Sequence, residues 1–182
     1  MLEAVLIALS LSVIQWWSSP WSYAIAGILL LLCLPGVLVM RGAAPFVTTP
    51  KKTVRAMIAL AAIRPGEIVM DLGCGDGRLV FAAAKKGAIA TGFEMSVPAY
   101  LIAKIRSFFH PQCSIRFGNL WHQQYSHADV LFCYFLKDTM QDFKTHIWST
   151  LKPGCRVVSH AFTMNDVQPQ QRTESAVMYV KP

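Results

Sequence analysis

Two long apolar stretches open the chain, and after them short apolar runs alternate with amphipathic ones. The second stretch, Trp21 to Met40, reads WSYAIAGILLLLCLPGVLVM without a charged side chain. That is about the 20 residues needed to cross a bilayer core. The first, Ala4 to Trp17, is shorter, and the turn signal Ser18-Ser19-Pro20 separates the two. Trp16, Trp17, Trp21 and Tyr23 bracket that turn, and such aromatics favour a membrane-water boundary. The pattern predicts a membrane anchor over residues 1–43, built as a transmembrane helix or a helical hairpin, with the first run either spanning the bilayer or lying at its surface. A globular domain is expected over 44–182.

From Pro50 onwards the pattern is that of a mostly parallel sheet covered by helices. Lys51 to Ile63 reads as a helix with Val54, Met57, Ile58 and Ala61 on one face, ended by Arg64-Pro65-Gly66. Strands are expected at Glu67 to Leu72, Ala88 to Glu94, Ser114 to Phe117, Ala128 to Phe135, Cys155 to Phe162 and Ala176 to Val180. Helices are expected at Gly77 to Lys86, Val97 to Phe109 and Asp138 to Leu151. The continuous apolar run in Ala128 to Phe135 suits an interior parallel strand. Asn165 to Gln171 is too polar to assign. This order of elements is a Rossmann-like α/β plan with helices on both faces of the sheet.

Composition adjusts that picture. At 182 residues there is room for one ordinary domain and a short appendage, not for a two-domain enzyme. The apolar fraction is 54% and the charged fraction 15%, a departure from soluble averages concentrated before Arg41, where Glu3 is the only charged side chain. Arg41, Lys51, Lys52 and Arg55 follow the second run, which by the positive-inside rule places the globular domain on the cytoplasmic side of an inner or plasma membrane. A secretory signal fits poorly, since no basic segment precedes the apolar run and no cleavage site follows Met40. Five cysteines without a C-x-x-C pair point to free thiols and to no metal. The formal charge of +7 belongs almost wholly to the globular part. It is compatible with anionic lipid, nucleic acid or an acidic protein, and equally with ordinary solvated lysines.

The candidate chemistry lies in Asp71-Leu72-Gly73-Cys74-Gly75-Asp76-Gly77, between the first strand and its helix. Glycines there let the backbone turn tightly and approach a ligand closely. A dinucleotide fingerprint needs a third glycine where this chain has Arg78. The D-x-G-x-G-x-G pattern, with an acid before the loop, suits a cationic methionine-derived ligand better than a pyrophosphate. Glu94 ends the second strand, where a carboxylate accepts hydrogen bonds from ribose hydroxyls. Asn119 is either an adenine contact or a turn residue, and Met95 and Leu120 are placed to pack on the adenine faces. Asp76 either bonds the ligand or caps the helix beginning at Gly77. The cofactor expected is S-adenosyl-L-methionine.

These residues resemble the seven-strand class I methyltransferases, and within them the small protein-lysine methyltransferases. That branch includes the archaeal broad-specificity enzymes and those acting on the ATP synthase c-subunit and the adenine nucleotide translocase. PFVTTP at 45–50, VMDLGCGDGRLVFAAA at 69–84 and LKPGCRVVSHAF at 151–162 carry the resemblance, which covers most of Pro45 to Tyr179. It implies that Thr49, Asp71, Gly73, Gly75, Glu94 and Asn119 line the cofactor site and that Tyr134 lines the methyl-transfer channel. Thr48, Ala161 and Val167 depart from the family pattern on the expected acceptor side.

A lysine acceptor must lose a proton before it attacks. Tyr134 can hold the amine by its hydroxyl or its ring face, His160 can accept a proton, and Lys137 is a further candidate. Core packing is the competing reading of Tyr134 and Phe135, surface solvation that of Lys137, and a structural role that of His160. The expected function is methyl transfer to lysine side chains of a protein partner, with nucleic acid disfavoured as a substrate class. Methylation of a lipophilic quinone or lipid, and an inactive membrane adaptor, are the competing readings.

Overall fold

A computed structural model of the chain describes residues 5, 7–11, 21, 23–31 and 49–182. Most of the apolar segment expected to enter the membrane lies outside these residues. Positions 5, 7–11, 21 and 23–31 are helical, and among the described residues no helix is long and apolar enough to cross a membrane. The PFVTTP element is described only at Thr49 and Pro50.

Seven strands form one sheet: β1 Ile68–Leu72, β2 Ile89–Glu94, β3 Cys113–Phe117, β4 Val130–Cys133, β5 Arg156–His160, β6 Gln171–Arg172 and β7 Ala176–Val180. Their order is β3-β2-β1-β4-β5-β7-β6, parallel through β5, with β7 antiparallel to both β5 and β6. The α-helices are α1 Lys51–Ala61, α2 Arg78–Ala84, α3 Val97–Ser107 and α4 Lys137–His146. This is the mixed seven-strand, Rossmann-like sheet that the alternation of short apolar runs and helices foreshadows.

Strand periodicity divides the core in two. Val69 of β1, Ala90 of β2, Val130 and Phe132 of β4 and Val158 of β5 share a cluster with side chains of α1, α2 and α3. On the other face Met70, Leu72, Phe93, Leu131, Cys133 and Val157 pack with Met140 and Phe143 of α4. Buried on both faces, β4 accommodates only apolar side chains, which accounts for its unbroken run in the sequence. At the sheet's opposite end from the glycine loop, Lys152 pairs with Asp129 at 2.6 Å and Arg156 with Glu67 at 2.6 Å. Asp129 also accepts a hydrogen bond from the Ile68 amide, tying the start of β1 to the turn before β4.

Several expected boundaries are corrected. The strand over Ala128 to Phe135 is only Val130–Cys133, because Tyr134 and Phe135 have left the ladder, Tyr134 to meet His160 and Phe135 to join the core. The strand expected to reach Phe162 ends at His160, where Ala161 turns the chain with φ 68. The helix expected from Asp138 to Leu151 ends at His146, and a 3-10 turn at Trp148–Thr150 follows. Ile147, Trp148 and Leu151 remain buried through that change, so the apolar pattern does not register it. The unassigned polar stretch ends in β6, an edge strand of two residues.

Candidate active site

Apart from Thr49, the residues expected to form the site lie at or beyond the carboxyl ends of β1 to β5, the end of a doubly wound sheet at which ligands bind. Asp71 sits opposite Gly92 in the β1–β2 register, and Glu94 lies two residues further along the same face of β2. The turn after β1 is steep. Gly73, Gly75 and Gly77 all have positive φ, at 75, 56 and 79, which is backbone that side chains with a Cβ resist. The amides of Gly73 and Cys74 donate to the Phe93 carbonyl, closing the loop onto β2. A Cβ built on Gly73 meets nothing within 4 Å, so the protein leaves open the space in front of the loop.

Glu94 fastens this arrangement. Its Oε2 accepts from the Gly75 amide at 2.8 Å, while Oε1 accepts from the amides of Met95 at 2.8 Å and Ser96 at 2.7 Å. One carboxylate therefore shapes both the glycine loop and the start of α3. Asp71 is buried, at 4% exposure, and the charges that act on it are those of Glu94 and Asp76, both acidic. Burial first, and those two carboxylates second, push its carboxyl up to about 8. Such a group is stabilised by a cationic neighbour. The open space beside Gly73 and the uncompensated acid beneath it therefore fit a ligand carrying positive charge, as the ammonium and sulfonium of S-adenosylmethionine do.

Gly77 is the N-terminal cap residue of α2, and the Asp76 side chain just before it accepts a long hydrogen bond, at 3.4 Å, from the Arg78 amide in the helix's first turn. The Asp76 carboxylate also bridges Arg78, at 2.8 Å, and Arg106 of α3, at 2.6 Å. Burial raises its pKa, but the two guanidinium groups outweigh burial and hold it below the usual carboxylate range. Arg78 also donates to the carbonyl of Thr49, a buried residue, which brings the segment before α1 to the glycine loop. Arg106 further covers the Phe81 ring at 5.1 Å.

Asn119 caps the 3-10 turn Leu120–His122, its side-chain oxygen accepting from the Trp121 amide at 3.0 Å. The turn reading is thus realised. The Leu120 carbonyl accepts from the buried Tyr125 hydroxyl at 2.6 Å. Met95 is half-buried immediately after Glu94.

Tyr134 and Phe135, after β4, have different neighbours. Phe135 is core, 6.1 Å from Trp121 and 6.0 Å from Phe143 between ring centroids. Tyr134 is half-buried, with its ring 4.4 Å from that of His160. His160 Nδ1 meets the carbonyl of Ser175. A carbonyl only accepts, so Nδ1 carries a proton, and in the neutral ring Nε2 is left with its lone pair. The structure thus pairs Tyr134 with His160, but places Lys137 exposed at the first position of α4.

Arg106, Ser175 and Gly92 escaped the sequence reading. A Cβ on Gly92 would lie 2.6 Å from Cys74 Sγ and 2.7 Å from Val80 Cγ2, so glycine there lets the loop and α2 settle on the sheet. The only signal was a glycine in mid-strand. The cysteines Cys74, Cys113, Cys133 and Cys155 are free, as expected, and burial pushes the Cys133 and Cys155 thiols up to about 12. Among the described residues no cluster suits a metal ion.

Known proteins resemble this chain in sequence and fold. Residues 71–171 match the model of the ANTKMT methyltransferase domain. A protein-lysine N-methyltransferase of Saccharolobus islandicus is 35% identical over 132 residues, covering 70% of this chain and 82% of its own. The adenine nucleotide translocase lysine N-methyltransferase of Mus musculus is 29% identical over 130 residues, covering 69% of this chain but only 56% of its own. Among solved structures, an RNA methyltransferase from Salinibacter ruber in complex with S-adenosyl-L-homocysteine superposes with a TM-score of 0.72 at 30% identity. It covers 75% of this chain and 94% of that one. An acid-flanked glycine loop on a seven-strand sheet, joined to these matches, makes the chain a member of the ANTKMT methyltransferase domain family and an S-adenosylmethionine-dependent methyltransferase.

Proposed function

We propose that the chain transfers methyl groups to lysine side chains of a protein substrate. The observation that carries this reading is the pairing of Tyr134 with His160, whose Nδ1 is held by the Ser175 carbonyl. Relatives named as lysine methyltransferases support it. The cofactor, when bound, supplies a methyl group on a positively charged sulfur. The chain's own residues do the remainder. Asp71 offers its carboxylate to the ligand's positive charge, Glu94 holds the loop and is placed for the ribose hydroxyls, and Gly73, Gly75 and Gly77 keep the approach clear. Thr49, Asp76, Met95, Asn119 and Leu120 complete the cofactor side. On the acceptor side the Tyr134 ring face and hydroxyl receive the lysine ammonium, and His160 Nε2 takes its proton, leaving a lone pair on the amine for attack. Enclosure by apolar groups favours the neutral amine in the same direction. Lys137, exposed on α4, is not needed in this scheme.

The experiment is to supply methyl-labelled cofactor to membranes and cytosol containing the protein and then locate the label. Lysine in acid-hydrolysed protein is the expected carrier. Label in nuclease-sensitive RNA, which the likeness to the Salinibacter enzyme makes a necessary control, or in solvent-extracted lipid would overturn the lysine assignment.

A further inference from the structure

The backbone that holds His160 departs from ordinary strand pairing in two places. The β5–β7 register puts His160 opposite Ala176 and, continued by one step, would put Ala161 opposite Ser175. The ladder stops first. Ala161 has φ 68, and the Phe162 amide donates to the His160 carbonyl at 2.9 Å, the hydrogen bond of a γ-turn, so the chain leaves the strand there. With the ladder ended, the Ser175 carbonyl meets the His160 ring at Nδ1 instead. The second departure is in the turn between β6 and β7. A closing hairpin pair ordinarily exchanges two backbone hydrogen bonds. Here the Thr173 amide donates to the Ala176 carbonyl at 2.8 Å, but the return bond from the Ala176 amide goes to the Thr173 hydroxyl, at 3.1 Å. The same hydroxyl donates to the Ala176 carbonyl at 3.2 Å.

These two departures meet in one peptide unit. The Ala176 N–H and the Ser175 C=O belong to the same planar, rigid group and point in opposite directions across it. Thr173 therefore holds one end of a plane whose other end holds the His160 ring. Ala176 is buried, so its amide needs a protein partner. Without the hydroxyl, that amide turns to the main-chain carbonyl of Thr173, as in an ordinary hairpin, and the same rotation carries the Ser175 carbonyl off Nδ1. We propose that Thr173 is a positioning residue for methyl transfer: through the Ser175–Ala176 peptide it fixes the proton on His160 Nδ1 and keeps Nε2 free to accept one. Its part in transfer rests on the reading of His160 as the base for the lysine ammonium, whereas its hold on the ring does not.

The test is nitrogen NMR of the full chain in detergent micelles, isotope-labelled only at histidine, in buffer that keeps the rings neutral. The His160 signals are those that vanish in His160→Ala. The wild type is expected to show a protonated Nδ1 and an unprotonated Nε2. Thr173→Val keeps the shape and removes the hydroxyl, and is expected to move the tautomer ratio about fivefold towards protonated Nε2, the factor one neutral hydrogen bond is worth. Thr173→Ser is expected to keep the wild-type ratio. A protonated Nε2 in the wild type would overturn the proposal, and so would an unchanged ratio in Thr173→Val, which would leave the hydroxyl as a brace for the turn. Binding of S-adenosylhomocysteine verifies that each variant is folded, and Thr173→Ala replaces a valine variant that does not bind it. Incorporation of labelled methyl into lysine of total membrane protein is then followed with the same variants. A rate about fivefold lower in Thr173→Val and restored in Thr173→Ser is expected. A shifted tautomer with an unchanged rate would leave the hold of Thr173 on the ring intact and overturn instead the reading of His160 as the base.

Discussion

At the scale of single residues the site is organised by charge that is left over. Asp76 has two arginine partners, Glu94 has three backbone amides, and Asp71 has only acids near it. Asp71→Asn removes the charge at constant shape, and a charged hydrogen bond is worth about 1.5 to 3 kcal/mol. Cofactor affinity by calorimetry is therefore expected to fall about 10- to 100-fold. Unchanged affinity would remove Asp71 from the cofactor site. His160 tests the acceptor side separately. His160→Ala is expected to lower kcat about 100-fold while leaving cofactor affinity intact, and added imidazole is expected to restore part of the rate. Tyr134→Phe keeps the ring and loses only the hydroxyl, so a loss confined to KM for the protein substrate assigns that hydroxyl to binding.

At the scale of elements, the close approach of loop, helix and sheet rests on Gly92. Gly92→Ala forces a methyl group against Cys74 and Val80, both buried, and overpacking of this kind costs about 1 to 3 kcal/mol. The thermal midpoint is expected to drop by about 3 to 10 °C. Cofactor affinity should fall with it, since displacing Cys74 displaces the loop, and a variant with wild-type midpoint and affinity would contradict the packing argument. Legibility in the sequence divides along the same line. The loop from Asp71 to Gly77 and the carboxylate at Glu94 could be read because their spacing is local to one strand-turn-helix-strand unit. The pairings Arg106 with Asp76 and His160 with Ser175 join residues 30 and 15 positions apart, and no periodicity encodes them. Element ends were the weakest point. Tyr134 and Phe135 are as apolar as the strand they leave, and a two-residue edge strand at Gln171–Arg172 has no alternation to detect.

At the scale of the whole molecule, three carboxylates from two adjacent strands and the loop between them meet in one place, so the fold and the cofactor act on each other through protons. The Asp71 carboxyl is pushed up to about 8 from its ordinary 3.8. Between those values the folded protein without ligand holds a proton that the unfolded chain has released. Stability from this group is therefore complete below about pH 4 and is lost as pH rises through about 8. Asp76 and Asp129, held low by arginine and lysine, act in the opposite sense, and their contribution disappears only as pH falls below their ordinary value. The two windows do not overlap. Subtracting the thermal midpoint of Asp71→Asn from that of the wild type is thus expected to give a difference that declines steadily from pH 4 to pH 8. A cationic ligand beside Asp71 reverses the preference, because it favours the carboxylate. Below pH 8 binding should therefore release up to about one proton more in the wild type than in Asp71→Asn, visible as a dependence of calorimetric heat on buffer ionisation enthalpy. Equal proton release by both proteins would mean that Asp71 is already ionised before the cofactor arrives, and that burial among acids does not prime the site for positive charge.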